Sequence, residues 1–243
     1  MAGPGTLYTV GLGPGDPELM TLKAARIIAT APVVAFFAKR GRAGLARTLA
    51  EGRIGAHAEE LRLDYPFTTE VAVDDPRYAA EIGAFYEAAA ARIAERLEAG
   101  RDVALLCEGD PYFYGSSLAM LDRLARHYPS EVVPGVTGMS GCWTRAGVPM
   151  THGDDVLTVL PGTLDEERLV ASFAHADALV IMKIGRHLPK VIAALRRAGL
   201  AERAVYVERG TMAGERIMPL LAMEGQSAPY FSLVLVPGRR RAR

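Results

Sequence analysis

The stretch Cys107-Glu108-Gly109-Asp110-Pro111-Tyr112-Phe113-Tyr114-Gly115-Ser116 gathers two carboxylates, two phenols, a thiol and a hydroxyl around two glycines. It follows an apolar run, Val103-Ala104-Leu105-Leu106, of strand length and flanked by Gly100 and Gly109. Behind it Leu118, Leu121, Leu124, Ala125 and Tyr128 recur at three and four. Gly115 to Ser117 therefore falls at a predicted helix start, where unpaired N–H groups and the helix dipole favour an anionic group. A strand end, a glycine turn and a helix start make a ligand-binding loop. The same residues also read as an Asp-Pro turn with a serine cap, a common feature of α/β chains.

Two further loops of this kind follow strand-like runs. Thr6 to Val10 leads into Gly11-Leu12-Gly13-Pro14-Gly15-Asp16-Pro17, after which Thr21 can cap a helix through Ala29. A dinucleotide fingerprint would need glycine where Asp16 stands, and Pro14 and Pro17 stiffen the turn, which disfavours a Rossmann pyrophosphate cradle. Glu131-Val132-Val133 leads into Pro134-Gly135-Val136-Thr137-Gly138-Met139-Ser140-Gly141. A fourth strand-like run, Pro32 to Phe37, exits into the basic Ala38-Lys39-Arg40-Gly41-Arg42, which suits either a polyanionic substrate or a solvated loop.

Between these runs, Gly52 to Pro76 shows little periodicity apart from the alternation Leu61-Arg62-Leu63-Asp64-Tyr65. Tyr65, Pro66 and Phe67 mark it as an ordered, functional loop. Tyr78, Ile82, Phe85, Ala89, Ile93 and Leu97 describe a long amphipathic helix ending at Gly100. Alternating strands and helices imply a mainly parallel sheet, whose ligands bind at the carboxyl ends of the strands. Gly147, Pro149, Gly153 and Asp154-Asp155 mark a linker, which divides the chain into α/β domains at 1–145 and 146–243.

In the second half, Val156 to Leu160 and Ala178 to Met182 read as strands. Thr163 with Glu166 makes a capping box for a helix from Asp165 to Ala174, and Leu188, Val191, Ile192 and Leu195 describe another helix. Ala204 to Glu208, Arg216 to Leu220 and Ser232 to Val236 are strands with no long helix between them, so antiparallel pairing is expected there.

Composition narrows the function class. The 243 residues carry 28 basic and 28 acidic side chains, so no general electrostatic grip on nucleic acid or an anionic membrane is expected. The terminal Arg239-Arg240-Arg241-Ala242-Arg243 reads as a frayed tail. Cys107 and Cys142 are too few for a disulfide framework, and His57, His127, His152, His175 and His187 lack zinc spacing, so no metal site is expected. Met1-Ala2-Gly3-Pro4-Gly5 shows no signal-peptide pattern, and the apolar run from Ile27 to Ala38, broken by Thr30 and Pro32, is shorter than the roughly 20 residues of a membrane span. A soluble, cytoplasmic enzyme is the expectation.

The order and spacing of Val10 to Asp16, Glu108 to Pro111 with Tyr112 to Gly115, and Val133 to Thr137 resemble the tetrapyrrole methyltransferases over nearly the whole chain. Within that family, Leu7 to Lys23, Phe37 to Gly41, Asp64-Tyr-Pro-Phe-Thr-Thr-Glu70 and Cys107 to Ser116 look most like the branch that methylates C20 of precorrin-2 in cobalamin biosynthesis. The resemblance implies a two-domain α/β fold, with a mainly parallel N-terminal sheet and a mixed, partly antiparallel C-terminal one. It also implies S-adenosylmethionine (SAM) in the cleft between the domains, no protein-bound metal and a homodimer. The donor contacts it implies are Pro14, Glu108, Gly109, Asp110, Phe113, Thr137, Gly138, Met182 and Gly210.

A tetrapyrrole bearing acetates and propionates, whether precorrin-2 or its cobalt form (cobalt-factor II), makes Lys39, Arg40 and Arg42 carboxylate partners. The related uroporphyrinogen enzymes have an aspartate, proposed as proton acceptor, where Phe37 stands, so that base does not transfer. Tyr112, Tyr114, Glu108 and His152 are candidates without a distinguishing feature, and the catalytic base is left unassigned. The competing readings are a sister enzyme methylating another ring position, a nicotinamide-dependent oxidoreductase and a non-catalytic nucleotide-sensing module.

Overall fold

The computed structural model describes residues 3–67 and 76–239, with residues 76–78 as backbone only. Met1, Ala2, the Thr68 to Glu70 part of the 64–70 motif, the Tyr78 side chain and Arg240 to Arg243 of the tail lie outside the described residues. The chain divides into two compact units, Met1–Gly138 and Met139–Arg243.

In the first unit, β1 (Leu7–Gly11), β2 (Val33–Lys39), β3 (Glu59–Tyr65), β4 (Val103–Cys107) and β5 (Ser130–Val133) form one parallel sheet in the order β3-β2-β4-β1-β5. Side chains alternate across it. Val33, Ala35, Val103 and Leu105 pack against α3 (Pro76–Glu98) and α4 (Leu118–Leu124). Val34, Phe36, Ala104 and Leu106 pack against α1 (Leu22–Thr30) and α2 (Leu45–Leu49). Both faces are thus covered, and truncating the fully buried Leu105 to alanine should cost about 2–5 kcal/mol. Thr21 starts α1 as expected, its Oγ accepting from Ala24 N at 3.1 Å. Because every strand runs the same way, the loops after β1, β2, β4 and β5 leave from one edge.

In the second unit, β6 (Leu157–Pro161), β7 (Ala178–Met182), β8 (Val205–Glu208), β9 (Arg216–Pro219) and β10 (Ser232–Val236) form a sheet in the order β6-β7-β10-β8-β9. β6 and β7 are parallel, and β10 is antiparallel to both of its neighbours, as β8 is to β9. The antiparallel pairing expected for this half is present. α6 (Glu166–Phe173) and α7 (Leu188–Arg197) cover one face through Leu169, Phe173, Val191 and Leu195. Cys142 of α5 (Gly138–Arg145) joins Val180, Val207 and Leu235 on the other. That packing draws α5 toward the second sheet, so the compact units divide at 138/139 while the sequence reading divides the chain at 145/146.

Four local expectations change. Residues 59–65, read as part of an irregular segment, form an edge strand burying only Leu61 and Leu63, a pattern too short to stand out. α4 stops at Leu124, and Ser117 makes no side-chain cap bond to it. Asp165, and not Thr163, caps α6, accepting from Arg168 N at 2.8 Å. The third glycine loop is short because α5 begins within it at Gly138.

Candidate functional site

The loops after β1, β4 and β5 meet backbone to backbone. Gly13 N donates to Gly109 O at 3.3 Å and Gly109 N to Gly13 O at 2.8 Å, an isolated antiparallel bridge. Asp110 ties the third loop in, its Oδ2 accepting from Gly135 N at 3.0 Å and its Oδ1 from Tyr112 N at 2.9 Å. A Cβ on Gly135 would stand 2.1 Å from Gly109 O, and one on Gly11 would stand 2.6 Å from Gly135 N. No side chain fits at either position. Pro14 is buried beside Gly13, and Gly138 N lies 3.5 Å from where a Cβ of Gly109 would be. Pro14, Glu108, Gly109, Asp110, Thr137 and Gly138 therefore belong to one edge of one sheet, and Phe113 stacks edge-on to Tyr114 at 5.0 Å on the same loop.

The basic exit of β2 reaches this edge too. Lys39 is half-buried, and Arg40 and Arg42 are exposed. Gly41, at φ +76°, allows the turn in which Arg42 N donates to Lys39 O at 2.9 Å. Arg62 Nη2 donates to both Lys39 O and Arg42 O at 2.8 Å, while its Nε donates to Asp64 Oδ1 at 2.8 Å. Glu108 Oε1 accepts from Ala46 N of α2 at 3.1 Å.

Protein crowds Glu108 on most sides and leaves it open to water on another. The crowding pushes its carboxyl above the usual range, with the Ala46 N–H opposing and water access limiting the effect.

Sequence reading missed an aromatic cluster beside this loop. Phe37, Tyr65, Phe85 and Tyr86 stack with Phe37–Tyr65 centroids at 5.2 Å, Tyr65–Phe85 at 4.7 Å and Phe85–Tyr86 at 5.2 Å. Burial pushes the Tyr65 phenol far up, with Tyr86 adding and a hydrogen bond with Ser116 opposing. Tyr65 is thus a neutral hydrogen-bonding group at physiological pH. The adjacent Phe85-Tyr86 pair on the α3 face toward β3 was the available signal. Burial likewise pushes the Cys107 thiol up to about 11, which leaves no thiolate nucleophile there near neutral pH.

In the second unit, β6, β7 and β8 all end at one edge, since β7 and β8 are both antiparallel to the β10 between them. Met182 ends β7, its carbonyl accepting from Gly162 N at 2.6 Å. Gly210 follows β8, where a Cβ would meet Cys142 Sγ at 2.6 Å. Glu215 holds this turn, accepting from Thr211 N at 2.8 Å and from a forked Arg145 at 2.8–3.0 Å, and Arg145 lowers its carboxyl below the usual range. His152 is exposed on a separate turn, its N–H donating to Asp155 Oδ2 at 2.9 Å.

Backbone strain marks the same edges. Among the described residues, the non-glycine residues at positive φ are Tyr114 (58°), Lys183 (54°), Arg209 (49°) and Thr211 (69°). Each costs roughly 1–3 kcal/mol and persists only where its surroundings hold it, which is the habit of ligand loops. They sit next to Phe113, Met182 and Gly210. Nothing in residue type announces them.

Among the described residues, no cluster of His, Cys, Asp and Glu could hold a metal ion, and no helix is long and apolar enough to cross a membrane.

Comparison with known proteins places these features in context. The family described as Tetrapyrrole (Corrin/Porphyrin) Methylases matches residues 6–223. A precorrin-2 C(20)-methyltransferase of Sinorhizobium sp is 52% identical over 236 residues, covering 97% of this chain and 96% of that protein. A cobalt-precorrin-2 C(20)-methyltransferase of Salmonella typhimurium is 30% identical, covering 96% of each. Among solved structures, the uroporphyrin-III C-methyltransferase of Thermus thermophilus complexed with S-adenosylhomocysteine superposes with a TM-score of 0.67 at 27% identity, covering 95% of this chain and 92% of that one.

Proposed function

The chain belongs to the tetrapyrrole (corrin/porphyrin) methylase family, and from that premise we propose that it transfers a methyl group from SAM to C20 of precorrin-2 or of its cobalt form. The observation that carries the C20 assignment is the full-length likeness to the Sinorhizobium enzyme, which the Salmonella relative supports.

The first unit's loops pack backbone to backbone, because glycine stands where a Cβ would strike the neighbouring loop, and Gly138, with open space beside it, leaves main chain that a ligand can approach. The residues that would hold SAM are Pro14, Glu108, Gly109, Asp110, Phe113, Thr137 and Gly138, with Met182 and Gly210 as the second unit's contribution. Both Asp110 oxygens already accept one N–H each and keep a further lone pair for a ribose hydroxyl or amino group. When bound, SAM supplies an electrophilic methyl on a sulfonium sulfur.

The chain's own work is then positional. The bridge from Gly13 to Gly109 and the bond from Asp110 to Gly135 set the loops before the ligand arrives, and alignment of reacting atoms can lower a barrier by up to roughly 7–11 kcal/mol. Arg40 and Arg42, exposed on their turn, pair with tetrapyrrole carboxylates in the forked manner open to guanidinium, with Lys39 as a point charge. The reading also carries a homodimer, which light scattering checks, and a cytoplasmic setting, which cell fractionation checks.

The decisive experiment incubates the protein with methyl-labelled SAM and either precorrin-2 or its cobalt form, then locates the label by NMR. Label at C20 is expected, and the better of the two substrates fixes the metal state. Label at another ring carbon would make this a sister enzyme. No labelled tetrapyrrole from either substrate would refute methyl transfer.

A further inference from the structure

The basic turn at residues 39–42 is held at both ends by groups that nothing in its own sequence announces. At its base, one nitrogen of Arg62 donates to two carbonyls, Lys39 O and Arg42 O, both at 2.8 Å, and Asp64 orients the guanidinium from the same strand at 2.8 Å. Beyond it the chain enters α2 through Gly44, where a Cβ would strike Phe37 O at 2.5 Å, so this exit is pressed onto the end of β2. The first turn of α2 is then met from across the sheet edge. Ala46 N donates to Glu108 Oε1 at 3.1 Å, a contact between residues 62 apart in sequence. Glu108 immediately precedes Gly109, the residue bridged to Gly13, and Asp110, the residue bonded to Gly135.

We propose that Glu108 and Arg62 are positioning residues, which pin the Lys39–Arg42 turn and hold it in register with the loop 108–116. The carboxylate of Glu108 then serves chiefly as the link between the two segments. Donor loop and tetrapyrrole-binding turn become one mechanical piece, so that disturbing the pin degrades tetrapyrrole binding more than donor binding. This consequence rests on the reading of residues 39–42 as a carboxylate-binding turn, while the pin itself rests on geometry alone.

The two layers separate in one set of variants. The turn offers trypsin three cleavage points, after Lys39, Arg40 and Arg42, whose rates are read by mass spectrometry on the native protein saturated with S-adenosylhomocysteine. Glu108→Ala and Arg62→Ala should each raise the cleavage rate at least fivefold. Glu108→Gln, whose amide oxygen can still accept from Ala46 N, should stay within twofold of the wild type. Methyl-transfer kinetics with precorrin-2 on the same proteins should show at least a tenfold rise in tetrapyrrole KM for Arg62→Ala, which touches the turn and not the donor loop, and at most a threefold change in its SAM KM.

Cleavage of Glu108→Ala and Arg62→Ala at the wild-type rate overturns the pin. So does a Glu108→Gln protein that is cut as fast as Glu108→Ala. Arg40→Ala tests the underlying reading separately, because it should raise tetrapyrrole KM while leaving cleavage after Arg42 unchanged. If Arg40→Ala leaves KM unchanged while the two pin variants still loosen the turn, the carboxylate-binding reading falls and the pin stands.

Discussion

The two units build the edges where their strands end by opposite means. In the first, β4, β1 and β5 are neighbours and parallel, so three loops emerge side by side, one strand spacing of about 4.8 Å apart. Loops so close collide unless side chains are removed, and Gly11 and Gly135 are the result, while Gly109 between them is required by its φ of +66°. In the second unit, β10 runs antiparallel between β7 and β8, so the loops ending those strands stand two spacings apart, about 10 Å. Crowding between strands is confined there to the parallel pair β6 and β7, where a Cβ on Gly162 would stand 3.2 Å from Met182 O. Shape comes instead from left-handed Lys183, Arg209 and Thr211, with Arg145 and Glu215 holding the last of these turns. A wholly parallel edge selects for missing side chains, and a mixed edge leaves room for side chains that anchor strained backbone.

Substitutions on each edge can break that contrast. The largest effect should come from Gly135→Ala, whose Cβ would lie 2.1 Å from Gly109 O, a backbone atom with no flexible end to move. S-adenosylhomocysteine affinity should fall at least a hundredfold, about 2.7 kcal/mol. Calorimetry showing a change below threefold would mean that the third loop shifts freely and that close approach is not the organising feature.

On the other edge, Gly210→Ala meets a side-chain sulfur, so its cost of about 1–3 kcal/mol in denaturant unfolding should be partly relieved by Cys142→Ala in the same chain. A double-mutant cycle without coupling would show that Cys142 is not the obstacle. Asp110→Ala removes the acceptor that joins the second and third loops and should weaken S-adenosylhomocysteine binding at least tenfold, about 1.4 kcal/mol, in a folded protein. An unchanged affinity would leave the glycine contacts alone responsible for loop order.

The smallest effect concerns Glu215. Arg145 lowers its carboxyl below the usual value of about 4.5, so this pair stabilises the fold above that pH and loses its contribution as pH falls through the lowered value. Arg145 is 58% exposed, which limits the pair to less than about 1 kcal/mol. The stability difference between wild type and Glu215→Gln should be present at pH 7 and shrink on acidification below about 4.5. A difference that stays constant with pH would assign the effect of Glu215 to packing.

Much of this architecture was legible beforehand. The runs Val103 to Leu106 and Ala178 to Met182, the Thr21 cap and the 3–4 periodicity of Ile82 to Leu97 are local signals, and local geometry obeys them. β3 was harder, because an edge strand with only Leu61 and Leu63 buried leaves a short pattern inside a polar stretch. α4 ends at Leu124, although its apolar spacing continues to Tyr128.

By itself the sequence determined most of the strands and helices in order, missing α2, β3 and α5, together with the mainly parallel first half, the antiparallel pairing near the end, the three glycine-rich loops and the family, since these depend on residue type and short-range spacing. Tertiary structure alone decided which glycine faces which, that Asp110 reaches Gly135 and Glu108 reaches Ala46, and that Phe37, Tyr65, Phe85 and Tyr86 gather beside the second loop. It also decided that Tyr114, Lys183, Arg209 and Thr211 take the left-handed conformation. The physical reason is common to all of these. Each joins segments distant in sequence, or holds a residue against its own preference, and the free energy that does so comes from the packed sheet and not from neighbouring residues.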